Sequence, residues 1–154
     1  MIRYVLAALL TIALLAIAMP AIDRGAEMNS ERQVDATIAE IDEAATSLAA
    51  TEEVSPEGHP DPKRVIEVSF PESTLTTAGV DHVELVPYEN GSHTHVRYVL
   101  DSGMTREDVI DEKIVWDDPT GNETTELGGT NRQRLGLFLL PDETDTPVVV
   151  ARDL

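Results

Sequence analysis

Cysteine is absent from this chain. Disulfides, zinc–thiolate sites, cysteine nucleophiles and S-acylation are therefore excluded, as is a lipid anchor on a cysteine after a signal segment. Aromatic residues are scarce, with one Trp, three Tyr and two Phe, so any core has to be built from Val, Leu and Ile. Positive charge is also scarce. The balance of 11 basic against 29 acidic residues gives a net charge of -18, a poor surface for nucleic acid, whose phosphates need a basic patch. No P-loop, G-x-G-x-x-G or G-x-S-x-G motif occurs in the sequence, which leaves nucleotide cradles and nucleophile elbows without a signature. Charge of either sign is missing altogether from Tyr4 to Ile22.

Only Lys63 and Lys113 are lysines; the other basic residues are arginines. A dense acidic composition that avoids lysine resembles proteins of extreme halophiles, haloarchaea above all. Carboxylates hold water and cations at high salt, which also screens their mutual repulsion. The alternative is a mildly acidic protein of an ordinary salt environment.

The uncharged run reads YVLAALLTIALLAIAMPAI. Nineteen residues at ~1.5 Å each make a helix of ~28 Å, close to the ~30 Å hydrocarbon thickness of a bilayer. Residues 4–22 are expected to contact membrane lipid. An uncleaved anchor is preferred over a cleaved secretory signal, for which the small residues around Ala18 and Ala21 offer sites. A plain buried helix ranks last, because a soluble helix of this length normally keeps a polar face. Pro20 is expected to kink or end the helix. Arg3 precedes the run and an acidic segment follows it, which orients the N-terminus to the cytoplasm and the remainder outward.

Four segments follow from the composition: 1–29 as anchor and joint, 30–50 as an amphipathic stalk helix, 51–62 as a linker and 63–154 as a β-rich extracellular domain. Gly25 would be a soft joint. Ser30 and Gln33 fit a capping box. Val34, Ile38, Ile41, Ala45 and Leu48 recur at spacings of four and three, an apolar seam with Asp35, Glu40, Asp42 and Glu43 off it. The seam would pack on the domain's sheet or, alternatively, serve protein partners or self-association. Three prolines and a glycine between Ser55 and Pro62 block regular structure.

Beyond the linker, Arg64–Phe70 alternates as a half-buried strand, and 72–79 is a Thr-rich connection with room for one helical turn. Asn90-Gly91 between two alternating runs is a strong hairpin signal. A two-residue turn sets Glu89 opposite Ser92, Val86 opposite His95 and Glu84 opposite Arg97, so opposite charges face each other. Val83, Leu85, Val96, Tyr98 and Leu100 should then be core; His82, Glu84, His93, His95 and Arg97 should be wet. Turns are expected at Ser102-Gly103 and Gly128-Gly129. Further strands are expected over 104–111, where a short helix capped by Thr105 is the alternative, and over 113–116, 134–140 and 148–151, the last closing the sheet, with a polar loop over 117–125 that contains the sequon Asn122-Glu123-Thr124. The fold class expected is α+β: an N-terminal transmembrane and amphipathic helix, then a small antiparallel sheet or sandwich.

Candidate chemistry is thin, and no catalytic residue or cofactor is expected. His93 and His95 sit two apart on one strand face and could share a metal with Glu84 or a residue from elsewhere, though no third ligand is pinned; an exposed polar face is the preferred reading. Asp117, Asp118, Asn122 and Glu123 could offer oxygen ligands to Ca²⁺ or Mg²⁺ but lack EF-hand spacing.

An apolar N-terminal helix running into an amphipathic one and then a β-rich head resembles type IV pilin-like (pseudopilin-like) proteins in architecture. That resemblance implies that the apolar segment packs in an assembly core while the head faces out. Such proteins carry a basic leader before the apolar run and usually a Glu early in it, whereas here Arg3 adjoins Tyr4 and the first acid is Asp23. The chain also looks like haloarchaeal membrane-anchored proteins with such heads, which implies an accessory place in a pilus or secretion assembly. The function expected is that of a non-enzymatic, membrane-anchored extracellular protein. The alternatives are a signal-cleaved secreted or wall-associated binding module, and a metal-dependent enzyme using His93 and His95.

Overall fold

The computed structural model describes residues 1–89, 91–128 and 132–154. One helix, α1, runs without a break over Ile2–Thr51. Eight strands follow: β1 Lys63–Val68, β2 Val80–Pro87, β3 Thr94–Leu100, β4 Thr105–Ile110, β5 Ile114–Trp116, β6 Thr125–Gly128, β7 Gln133–Pro141 and β8 Pro147–Asp153. They form two four-stranded sheets, in the orders β1-β7-β8-β5 and β4-β3-β2-β6. The α+β class expected from the sequence is the one observed.

Anchor and stalk thus belong to a single helix. Pro20 does not end it, because a proline removes one N–H and leaves the flanking hydrogen bonds to carry the rod. The helix is also continuous through Gly25. Ser30 does not cap a second helix, since it lies inside the first with its hydroxyl 3.0 Å from the carbonyl of Ala26 one turn back.

The helix's second half is held by the strands. Val34, Ile38, Ile41, Ala45 and Leu48 are all buried and join one cluster with residues of both sheets. The helix lies on β1, β7 and β8 and reaches β4, while β5 brings the sheets together against β2 and β6. The seam therefore packs in the chain's own core, as the first of the two readings expected. Polar residues beside the seam add side clamps: Arg106 to Glu31 at 2.7 Å, the Asp111 amide to Asp42 at 3.2 Å and Arg64 to Glu52 at 3.0 Å.

The β2–β3 hairpin has the register read from the sequence, with Glu84 opposite Arg97 and Val86 opposite His95. Arg97 and Glu84 form an ion pair across it. Val83, Leu85, Val96, Tyr98 and Leu100 are buried as the alternation demanded. Asn90, in the expected turn, lies outside the described residues, as does Gly129. A further turn joins β3 to β4, where Gly103 takes φ 81°, a conformation glycine adopts without strain.

Several expectations need correction. β6 is an unexpected strand: the sequence points to a polar loop ending at Thr125 and a turn at Gly128, and the short Thr-Glu-Leu-Gly run between them alternates too briefly to announce itself. The last strand does not close a sheet: β8 lies inside, between β7 and β5. It pairs with β5 in parallel, Ile114 facing Val149, an exception to the antiparallel rule. Residues 72–79 contain no helical turn.

Tyr98 couples strand to helix. Its ring is buried, and its hydroxyl donates to Asp35 at 3.4 Å. Burial first, then the charges of Asp35 and Glu31, push its ionisation from 10.0 up to about 12. The unfolded chain loses this proton first, so the stability Tyr98 brings is intact below pH 10 and falls as pH rises from there towards about 12. Alkaline unfolding curves should show this loss in the parent protein and a flatter course in Tyr98→Phe.

Candidate functional site

The most distinctive surface of the molecule is the free half of α1. Tyr4, Val5, Leu6, Leu9, Leu10, Leu14 and Leu15 are each more than half exposed. Between them they occupy every face of the helix, and the most apolar window is 0% buried. Among the described residues no other part of the chain covers it, which argues against the plain buried helix. Its polar side chain, Thr11, donates to the Ala7 carbonyl at 2.9 Å and so needs no partner outside the helix. That is the condition a polar group must meet in hydrocarbon. Tyr4 stands at the end of the rod away from the head with an amphipathic ring, a residue type favoured where bilayer meets water.

Where the rod meets the head, the 72–79 connection is hydrogen-bonded along one face of the helix and forms a partial collar. Ser30 Oγ donates to the Ala78 carbonyl at 2.6 Å, Asn29 Nδ2 to the Thr76 carbonyl at 3.1 Å, and the Ala78 amide to the Ala26 carbonyl at 3.3 Å. The connection is itself knotted by hydroxyls. Thr74 Oγ1 accepts from the amides of Thr76 and Thr77 at 3.2 and 3.1 Å, and Thr77 Oγ1 donates to the Glu72 carbonyl at 2.8 Å. The sequence signals this collar only through a run of threonines. Ser30 is fully buried, so Ser30→Ala leaves a carbonyl short of a donor. It should lower head stability by about 1–2 kcal/mol and speed hydrogen exchange at the Ala78 amide.

The histidines lie far from this junction, around the β2–β3 turn. His93 stacks on Tyr88 with ring centroids 4.7 Å apart, and His95 meets His93 edge-on at 5.1 Å. Glu84, the suggested third ligand, is taken by Arg97 and has His82 Nε2 at 3.8 Å. The pair is thus packed as an aromatic cluster. Among the described residues, no group of three or more His, Asp or Glu side chains converges as a metal site. The 117–125 loop does not converge either. Asp117 Oδ1 accepts from Arg152 at 2.9 Å, while Asp118 accepts from the backbone and hydroxyl of Thr120, which together hold its carboxyl below the usual range.

A family model described as a domain of unknown function, DUF7311, matches residues 1–154, from the rod to the last strand. The chain belongs to the DUF7311 family. No curated protein and no solved structure matches it. In this DUF7311 chain the family match embraces rod and head alike, and the structure joins the two in one helix.

Proposed function

We propose that this DUF7311 protein is a single-pass membrane protein, with its N-terminus cytoplasmic and its head on the outer surface, that works through protein contacts and not through catalysis. The observation that carries the reading is the all-round exposure of an uncharged helix long enough to span a bilayer. The unbroken passage of that helix into the head supports an accessory place in a pilin-like surface or secretion assembly, since movement of the rod reaches the head without an intervening hinge. The acidic, lysine-poor surface suits concentrated salt.

Alkaline washing of native membranes tests the anchor. The full-length chain is expected in the pellet with its first residues intact. Recovery in the supernatant of a chain beginning near Ala18 or Ala21 would favour the signal-cleaved module instead. That second reading has one structural support: residues 1–25 are exposed throughout, so their removal would leave the core complete. Cross-linking in the same membranes should capture assembly subunits if the accessory role is right and none if it is wrong. Thermal unfolding at a higher temperature in concentrated than in dilute KCl checks the reading of the surface charge.

A further inference from the structure

We infer that Leu75, on the collar beside the helix, sits in the interfacial layer of the bilayer and docks the base of the head directly on lipid. This rests on the anchor reading above. Leu75 is 87% exposed, more than any other large apolar residue outside the rod. A lone exposed leucine ordinarily means nothing; here its position and its loop give it meaning. Asn29 holds Thr76, the next residue, against the helix. Ser73 and Thr74, just before it, line a groove together with Asp23, the residue that ends the uncharged run. The collar therefore reaches down to the level at which the helix leaves the hydrocarbon. Met28, the other exposed large apolar side chain just beyond the run, adjoins Asn29 on the helix, about 9 Å past Ile22 at ~1.5 Å per residue.

The collar's chemistry fits a lipid surface. Ser73 to Val80 carry no charge, in a chain of net -18. The acids of this end are Glu72, exposed just before this uncharged stretch, and Asp23, Glu27 and Asp101, which line the groove between collar and helix. The hydroxyl bonds around Thr74 and Thr77 fix the loop's shape, so presenting Leu75 to lipid costs little ordering. A rigid, uncharged stretch bearing an apolar side chain enters the headgroup layer at a lower desolvation cost than one that carries carboxylates.

The absence of native cysteine makes single labels unambiguous. Full-length Leu75→Cys, Leu9→Cys and Glu57→Cys, each carrying an environment-sensitive fluorophore, are reconstituted in phosphatidylcholine vesicles with and without nitroxide-bearing acyl chains. Glu57 lies in the linker past the far end of the helix and serves as the water-exposed reference. The expected result is blue-shifted, quenched emission at Leu9 and Leu75 and neither at Glu57. Quenching at Leu9 with Leu75 behaving like Glu57 overturns the docking and leaves the anchor standing. No quenching at Leu9 overturns both. A blue shift at Leu75 in detergent without lipid, growing with protein concentration, points to a second copy and also overturns it.

Discussion

Replacing Leu10 and Leu14 together by aspartate should move the full-length protein from the membrane pellet to the soluble fraction. The uncharged run holds nine Val, Leu and Ile residues. At about 0.3–0.6 kcal/mol each, these favour insertion by roughly 3–5 kcal/mol. Two aspartates near the middle oppose it by roughly 5–7 kcal/mol and also remove two of the nine. The sign of the balance reverses. Both positions are about three-fifths exposed and touch no part of the head, so the head should remain folded. Leu10→Ala with Leu14→Ala should stay in the pellet, because alanine brings no charge to desolvate. Pelleting of the double aspartate variant after an alkaline wash would show that something other than lipid holds the rod.

How much of this was legible in the sequence depends on how far each signal reaches along the chain. The rod and the seam are long and periodic, and their composition alone places them. The hairpin register followed from the spacing of Glu84 and Arg97 about an Asn-Gly pair, a local constraint that tertiary packing had no reason to overrule. The seam's lower end was missed. Ala26 and Ser30 continue it by one further turn each, but a small residue and a hydroxyl do not register as apolar, and serine before a hydrophobic run looks like a cap. The collar was illegible for a related reason: its bonds join residues 48 apart, such as Ser30 and Ala78, and no local pattern encodes a partner at that distance. The parallel β5–β8 pairing has the same origin. Ile114 to Trp116 is only three residues long, and its neighbour is decided by where the chain returns more than thirty residues later.

The two halves of the one helix should respond unequally to the same change. Ile41→Ala removes a side chain that is 1% exposed at the centre of the cluster joining helix and sheets. The space cannot collapse easily, since Ala45 already supplies a small residue on the next turn and the strands on either side are hydrogen-bonded in place. Loss of transfer energy plus a residual cavity predicts about 2–5 kcal/mol of destabilisation, a large part of the total for a domain of this size. Ile12→Ala removes the same atoms from a residue 63% exposed on the rod. It should leave head stability within about 0.5 kcal/mol of the parent. Denaturant unfolding of both variants in the same detergent, followed by Trp116 fluorescence, makes the comparison. Trp116 is partly buried against the core and reports the head alone. Equal midpoints for Ile41→Ala and the parent would mean that the strands do not grip the helix. A loss at Ile12 as large as that at Ile41 would mean that the rod folds back on the head and does not stand free for lipid.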